Sequence, residues 1–369
     1  MANIHPWQEE IWRKMAGAAP GHAILLKGRK GLGKLDFARD LARYRLCENP
    51  SAAGPACGTC ASCCWFDQGS HPNFRMIEPE TQAAASGSGS AEEGNSAAEA
   101  GEESREADAA NDTDPARSKK KTGRQIKVAQ IRSLEDFIHL SRHQNGWRII
   151  LIHPAETMNL AAANALLKNL EEPPAQVMFI LVAHQAQHLP PTIRSRCRQV
   201  AMPAPAAASA TEWLAQQGVS QPGMDLALAG YAPLAALEFS HSGYREQHSA
   251  FIERISAPGG ADAVVFAEEF QKSDPALVIN WLQKWCYDLM SFCTTMTIRY
   301  HPDRREAVER AAAGMDLRSL SGYLRTLAAA RQLASHPLNP RLFLEELLIS
   351  YPATRVVPHD QRAPSDMRG

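Results

Sequence analysis

Gly28-Arg-Lys-Gly-Leu-Gly-Lys34-Leu35 is the stretch that decides the fold. It follows the pattern G-x-x-x-x-G-K-[ST] except at the last position, where Leu35 replaces the hydroxyl residue. In this pattern the glycines let backbone N–H groups surround a polyphosphate, the lysine meets its outer charges and the hydroxyl holds Mg²⁺. A strand-like run, Ala23-Ile-Leu-Leu26, precedes the loop, and a helix-like run over residues 34–43 follows it. The sequence therefore predicts a phosphate loop in an α/β domain that has lost its metal-binding hydroxyl.

The loop residues Gly28, Gly31, Gly33 and Lys34 are the candidates for contact with a nucleotide. A phosphate can still be held, because the loop backbone and the lysine ammonium do not require Mg²⁺. A loop that is retained only to pack the sheet against the helix fits the sequence equally well. Nucleotide binding therefore stays open.

The composition predicts a globular protein with more than one domain. Its 369 residues suffice for two or three domains, and a hydrophobic content of 44% can fill their cores. The net charge of -1 gives no overall basic footprint for nucleic acid. The N-terminal sequence does not follow the pattern of a signal peptide, and no long apolar run occurs. We therefore expect a cytoplasmic protein that does not span a membrane.

The periodicity divides the chain into an α/β part and a helical part. Arg148–Ile152 and Val177–Ala183 are continuous apolar runs typical of strands buried on both faces of a parallel sheet. Between them, residues 159–172 have the spacing of an amphipathic helix that ends before Pro173-Pro174. Residues 1–201 are thus predicted to form a doubly wound α/β domain. Two helical regions, residues 202–241 and 242–352, and a flexible tail over 353–369 are predicted to follow.

One internal segment differs from the rest in composition. Residues 81–122 are rich in Ala, Gly, Ser and Glu, contain almost no large apolar residues and end near the basic run Lys119-Lys-Lys121. Such a segment cannot bury enough apolar surface to fold, so we expect a disordered insert. It is either a solvated insertion in a surface loop or a docking segment.

Two further motifs resemble a known protein family. Asn164-Ala-Leu-Leu-Lys-Asn-Leu-Glu-Glu-Pro-Pro174 and, after a buried strand, Ser195-Arg-Cys197 are similar to motifs of the clamp-loader branch of the AAA+ proteins. The family's turn Gly69-Ser-His-Pro72, its cysteines and its C-terminal run over residues 339–348 also occur in order. The resemblance implies an α/β P-loop (AAA+) domain with a parallel sheet, a small helical lid over 202–241 and an all-α collar over 242–352.

In this family the collar joins the subunits into a ring. The apolar positions Leu342, Leu344, Leu347 and Leu348 fit the core of such a helical domain. The same helix can also present a face to a neighbouring subunit. The sequence alone does not decide which face does which.

Four of the eight cysteines lie between Cys57 and Cys64, and a reducing compartment favours a metal site over disulfides. The resemblance implies a structural zinc module over about 47–64, in which Cys57, Cys60 and Cys63 supply three thiolates and Cys47 supplies the fourth. Four sulfur ligands leave no position for water, so such a site is structural. Cys64 is a competing ligand, and unconnected thiols are the simpler alternative.

The resemblance also identifies positions that motor subunits of the family use for ATP hydrolysis. Here His153-Pro154 stand where a motor has acidic residues that hold Mg²⁺ and orient water, His184-Gln185 replace its polar sensor, and Pro233 replaces an arginine of the lid. Phosphoryl transfer depends on the positioning of the reactants and on charge stabilisation. The loss of these residues therefore removes most of the rate enhancement that the site could provide. We expect that the chain does not hydrolyse ATP alone.

Glu156 is the nearest acidic residue to the missing ones. Its place in the sequence is one to three residues too late, and we expect it to point elsewhere. If it had taken over the role, the chain would be an active ATPase motor, which is the alternative function.

Ser195, Arg196 and Cys197 retain the family motif although other positions are lost. The resemblance implies that Arg196 acts in trans as an arginine finger, reaching the ATP site of a neighbouring subunit. Arg194 and Arg198 are expected to be solvated or interface charges.

The implied partners are the gamma or tau motor subunits and the delta subunit of a DNA polymerase III clamp loader. The sliding clamp and primed DNA would be substrates of the whole assembly. An unrelated zinc-dependent nucleic-acid-binding module is a third possibility, and it predicts tight, salt-sensitive DNA binding by the chain alone. The near-neutral net charge counts against that possibility.

Overall fold

The computed structural model describes residues 4–19, 21–51, 54–80, 125–139, 146–257, 262–313, 315–334 and 338–351. They form two compact units: one comprises Met1–Arg29 and Gly33–Met202, and the other comprises Lys30–Leu32 and Pro203–Gly369. The predicted insert at 81–122 and the predicted tail at 353–369 lie outside the described residues. The division of the helical part at residue 241 stays a prediction.

The first unit is built on a parallel sheet of five strands, in the order β2-β3-β4-β1-β5. The strands are β1 (Ala23–Lys27), β2 (Phe74–Ile77), β3 (Arg148–Ile152), β4 (Val177–Ala183) and β5 (Arg198–Ala201). In the central pairs, Leu25 lies beside Leu181 and Ile152 also lies beside Leu181, so β1, β4 and β3 end at the same edge.

The three predicted strands are confirmed as the centre of this sheet. β4 is buried along its whole length, and β1 and β3 are buried at every position but one. The sequence analysis did not identify β2 and β5, which are the edge strands. Their residues are mostly half-buried or exposed, so neither strand has a continuous apolar run.

Helices cover both faces of the sheet, as the doubly wound prediction requires. Leu25 and Ile150 point to a core shared with the helices of one face, whereas Leu26 and Leu151 point to a core on the other face. This alternation follows from the two-residue period of a strand. The helices are α1 (Glu9–Ala16), α2 (Lys34–Leu46), α3 (Ala61–Asp67), α4 (Val128–His139), α5 (Leu160–Glu171) and α6 (Pro191–Arg196).

In the described residues beyond Met202, all regular structure is helical. The elements are α7 (Ala207–Gln216), α8 (Pro222–Leu228), α9 (Pro233–His241), α10 (Tyr244–Ile255), α11 (Ala263–Phe270), α12 (Pro275–Thr295), α13 (Arg305–Ala312), α14 (Leu317–Leu333) and α15 (Pro340–Ser350).

The long helix α12 is the centre of the larger core in this second unit. Its Trp281 and Trp285 are fully buried, and Trp285 Nε1 donates a hydrogen bond of 2.9 Å to the Tyr351 hydroxyl. The helix ends at Thr295, because Met296 takes a left-handed conformation. Among the described helices, none is both long enough and apolar enough to cross a bilayer.

Candidate functional site

The phosphate loop joins β1 to α2. Gly31 and Gly33 have φ angles of +83° and +76°, a left-handed conformation in which a side chain would be strained. Gly33 also lies in a crowded place, because an added Cβ would come within 2.6 Å of His5 Cδ2. Gln8 Nε2 donates a hydrogen bond of 3.0 Å to the Gly33 carbonyl. The N-terminal segment thus packs on the loop, and this packing requires glycine independently of any phosphate.

Lys34 is folded back onto its own loop. The residue is 2% exposed, and its ammonium donates a hydrogen bond to the Arg29 carbonyl. Burial lowers the pKa of Lys34 to about 8, and the nearby Glu156 carboxylate partly opposes this shift. The charge that would meet a phosphate is therefore held by a backbone carbonyl. Whether the loop binds a nucleotide stays a prediction.

Two imidazoles stand at the carboxyl edge of the sheet. His153 directly follows β3 and His184 directly follows β4. Their Nε2 atoms are 3.3 Å apart, and His153 Nδ1 lies 3.1 Å from Glu78 Oε1. Leu35 packs against the apolar core beneath this edge.

The expectation that Glu156 points away from this edge is wrong. Its Oε1 accepts hydrogen bonds from the backbone N–H groups of His184, at 2.9 Å, and Gln185, at 3.1 Å. Its Oε2 is buried without a hydrogen-bond partner among the described residues. The short 3₁₀ turn Ala155–Thr157 brings the carboxylate back to the end of β4. Distance along the sequence was a poor guide because the turn reverses the chain.

Arg196 is the last residue of α6. Its Nη1 donates to the Thr192 carbonyl at 3.0 Å, and its Nη2 lies 2.7 Å from Glu171 Oε1 at the end of α5. The next residue, Cys197, is buried in the core, and burial raises the pKa of its thiol to about 11. Ser195 Oγ also donates to the Thr192 carbonyl, at 3.0 Å. The buried Cys197 therefore holds the end of α6 in place, and the guanidinium of Arg196 beside it is half-exposed.

Four of the predicted metal ligands come together. The sulfur atoms of Cys47, Cys57, Cys60 and Cys63 all lie within 4.8 Å of one another. Cys47 Sγ is 3.9 Å from Cys60 Sγ, and Cys57 Sγ is 4.0 Å from Cys63 Sγ. Four thiolates at about 2.3 Å from a tetrahedral ion are about 3.8 Å apart, so this cluster can hold a metal ion. Cys64 is exposed and lies outside the cluster.

A buried histidine links the cysteine cluster to the sheet, which the sequence analysis did not foresee. His71 is 5% exposed and its Nε2 lies 2.8 Å from Ser62 Oγ, between two of the cysteines in sequence. Ser62 Oγ donates to the Leu46 carbonyl, and the Asn73 N–H donates to His71 Nδ1. These partners assign the proton of the neutral ring to Nε2. The quoted turn Gly69-Ser-His-Pro72 contained this residue without indicating its partner.

The predicted apolar stripe near the C-terminus divides between two environments. Leu344, Leu347 and Leu348 are buried in the core around α12, whereas Leu342 is 60% exposed and Ile349 is 59% exposed. One face of α15 is thus internal, and the other presents apolar side chains. A role in ring assembly stays a prediction.

Pro233 is the first residue of α9, a position where proline fits a helix start.

Comparison with known proteins gives family matches over most of the chain. Residues 7–206 match the family described as DNA polymerase III, delta subunit, and residues 243–351 match its C-terminal domain. DNA polymerase III subunit delta' of Pseudomonas aeruginosa is 34% identical over 302 residues, which cover 80% of this chain and 80% of that protein.

A tau subunit and a gamma-subunit-related protein are also similar to the chain. DNA polymerase III subunit tau of Salmonella typhimurium is 32% identical over 178 residues, 48% of this chain and 21% of that longer protein. Among solved structures, a gamma-subunit-related DNA polymerase III protein of Thermotoga maritima is 17% identical, covering 94% of this chain and 99% of that chain with a TM-score of 0.43. The parallel sheet flanked by helices and the helical C-terminal part agree with the AAA+ class that the sequence predicted.

Proposed function

The chain belongs to the delta-prime branch of the DNA polymerase III clamp-loader family, and from that premise we propose that it serves its ring without turning over ATP itself. It scaffolds the ring and supplies Arg196 in trans to a gamma or tau motor subunit. Its other partner in the ring is the delta subunit. The assembly as a whole places the sliding clamp on primed DNA.

The chemistry at the carboxyl edge supports the absence of turnover. Mg²⁺ needs hard oxygen ligands, and the positions that supply them in a motor hold Leu35, His153 and Pro154. Glu156 uses one of its oxygens to accept two backbone N–H groups, and Lys34 donates to Arg29. These side chains maintain the structure of the edge, whereas hydrolysis needs groups that position a metal ion and a water molecule.

The guanidinium of Arg196 is the observation that carries the proposal. It lies at the end of a helix and is 36% exposed, and one of its partners is the side chain of Glu171, itself 49% exposed. Such a group can reach a phosphate of an adjacent subunit without unfolding anything. A cation placed on the γ-phosphate stabilises charge that develops in the transition state, a contribution of about 10³ to 10⁵ in rate.

The cysteine cluster contributes to the fold of this subunit in the proposed function. We assign it a structural zinc ion held by Cys47, Cys57, Cys60 and Cys63, whose sulfur separations fit four thiolate ligands. Backbone N–H groups of Cys57, Cys60 and Cys63 donate to neighbouring sulfurs at 3.3–3.4 Å, so the backbone helps to hold the cluster together. Zinc would fix the segment between α2 and α3.

The test is ATP hydrolysis by a reconstituted ring in the presence of clamp and primed DNA. Replacing this chain by its Arg196→Ala form should reduce the rate on the order of 10³-fold at the site that it serves. Arg198→Ala, which removes an exposed arginine two residues away, is the matched control and should leave the rate unchanged. Size-exclusion chromatography must show equal assembly of both rings. Equal rates with Arg196→Ala and Arg198→Ala would refute the finger.

An active motor is the second candidate, and the position of Glu156 favours it. Its carboxylate reaches the end of β4 and is close enough to Lys34 to oppose, in part, the lowering of the lysine's pKa by burial. If Glu156 were a displaced catalytic acid, the isolated chain would hydrolyse ATP, and both Lys34→Ala and Glu156→Gln would abolish the activity. Absence of hydrolysis by the purified wild-type chain would eliminate this candidate.

A further inference from the structure

The two histidines at the carboxyl edge of the sheet form a cluster that the proposed function does not use. His153 and His184 follow adjacent parallel strands, and the pairing of Ile152 with Leu181 brings the two strand ends together. The Nε2 atoms face each other at 3.3 Å, with the ring planes at 86°. Both residues lie in the first compact unit and outside the cysteine cluster.

The distance between the two nitrogens is compatible with a shared metal ion. Two imidazole nitrogens at about 2.0–2.1 Å from a tetrahedral ion are separated by about 3.3–3.4 Å. The observed 3.3 Å fits a hydrogen bond between the two rings in the metal-free protein, and it equals the separation expected of two ligands of one ion.

The surroundings of the pair also suit a cation. Glu78 Oε1 lies 3.1 Å from His153 Nδ1, the arrangement in which a carboxylate orients a metal-binding imidazole and increases its basicity. Glu156 accepts the backbone N–H groups of His184 and Gln185, which holds the backbone at the end of β4 in place. One carboxylate, that of Glu78, therefore contacts the pair.

Solvent can complete the coordination. The side chain of His153 is 15% exposed and that of Glu78 is 47% exposed, so water reaches this edge. We propose that His153 Nε2 and His184 Nε2 bind an exchangeable divalent transition-metal ion, whose remaining ligands are water molecules. Imidazole nitrogens favour zinc, nickel, copper and cobalt over magnesium. The pair has the donor set of a metal class other than magnesium, which prefers oxygen ligands.

A second histidine pair in the helical unit shows what distinguishes the proposed site. His248 Nε2 and His301 Nε2 are also 3.3 Å apart, and Asp288 Oδ2 lies 2.8 Å from His301 Nδ1. Burial, and then the charges of His301, Lys284 and Arg304, hold the pKa of His248 well below its usual value. The same cations oppose a bound metal ion.

Asp288 is also committed to the structure around this second pair. Its carboxylate accepts backbone N–H groups of Arg299, Tyr300 and His301, which fixes the loop after α12. The pair therefore belongs to a buried network that holds the helical core together. Distance alone would not separate the two pairs, but charge does.

The experiment is a titration with Co²⁺ of the full-length, tag-free chain, which is first loaded with a single equivalent of zinc so that the four-thiolate site is filled and the histidine pair is left free. Cobalt bound to imidazole and water has ligand-field bands in the visible range, whereas cobalt that replaces zinc at thiolates has sulfur charge-transfer bands in the near ultraviolet. We expect one additional equivalent of cobalt without the sulfur bands. His184→Gln and His153→Gln should each abolish this binding, and Glu78→Gln should weaken it about 10–100-fold.

His188→Gln is the matched control. His188 is exposed at the end of the short 3₁₀ turn that follows β4, and it has no part in the pair. Its cobalt binding should equal that of the wild type. Thermal unfolding of each variant verifies that the fold persists. The proposal is overturned if the wild type binds no cobalt outside the thiolates, if binding survives in both His153→Gln and His184→Gln, or if His188→Gln loses it equally.

Discussion

Arg196 and Glu171 form an ion pair in which Nη2 and Oε1 are 2.7 Å apart, and the pair joins the last residue of α6 to the last residue of α5. Both side chains are substantially exposed, so the pair contributes only about 0–1 kcal/mol. To reach the phosphate of a neighbouring subunit, the guanidinium must leave this carboxylate or share it. The pair therefore holds the guanidinium of Arg196 in a defined place. Separating it from Glu171 costs little free energy.

Glu171→Gln should raise the ATPase rate of the reconstituted ring. The amide keeps the shape of the side chain but not its charge, so the guanidinium leaves more easily, and the expected gain is about 2–5-fold. Glu172→Gln, a change at the next exposed residue, is the control and should have no effect. Added salt should reduce the difference between the two variants, because it screens the wild-type pair. A lower rate for Glu171→Gln would instead mean that the carboxylate orients the finger in its working position.

Lys34→Met should make stability less dependent on pH in the alkaline range. The native pKa of Lys34 is about 8 and the ordinary value is 10.5, so between these values the unfolded chain binds more protons than the native one. The burial penalty on the charged form is fully present below about pH 8 and disappears as the pH rises to about 10.5. Wild-type stability therefore contains a contribution that increases with pH across this window.

The measurement is denaturant unfolding of both proteins at pH 7 and pH 10. The stability difference, Lys34→Met minus wild type, should fall by about 2 kcal/mol between these two values, after a reduction for residual solvent screening. Other titrating groups are the same in both proteins and cancel in the comparison. A difference that does not change with pH would show that Lys34 is not desolvated as its burial indicates.

The sequence predicted the centre of the fold better than its edges, for a physical reason. β4 is buried on both faces, so Val177–Ala183 is a continuous apolar run that can be recognised without a structure. β5 is mostly exposed, and Arg198 within it looks like part of a loop. An edge strand is defined by its hydrogen bonds to a neighbour, and a single sequence does not contain that information.

The sequence predicted those parts of the candidate site whose residues are close together along the chain. It did not predict the parts that depend on tertiary contacts. The ligand spacing of Cys57, Cys60 and Cys63 lies within one short segment, and the structure brings these sulfurs together with that of Cys47. The return of Glu156 to the end of β4 depends on a turn and on backbone N–H groups from another strand. Burial of Lys34 depends likewise on the whole loop.

His71→Ala should destabilise the first compact unit by about 2–3 kcal/mol, because the Asn73 N–H loses its buried acceptor and a cavity remains. Burial also lowers the pKa of His71, so its neutral ring contributes stability that is present above about pH 6.5 and is lost as the pH falls. Denaturant unfolding at pH 7 and pH 5 measures both effects. The exposed substitution His188→Ala is the control, and a change of similar size there would contradict the proposed link.

Cys57→Ser and Cys64→Ser should separate a zinc ligand from its neighbour. Cys57 belongs to the four-sulfur cluster, whereas Cys64 is exposed and outside it. Metal analysis after gel filtration should therefore find one zinc per chain in the wild type and in Cys64→Ser, and much less in Cys57→Ser. A hydroxyl at position 57 does not supply the thiolate that a closed site requires. Equal zinc content in the two variants would mean that Cys64 substitutes for Cys57. The ligand set would then be defined by the flexibility of the loop before α3 and not by the spacing of Cys57, Cys60 and Cys63.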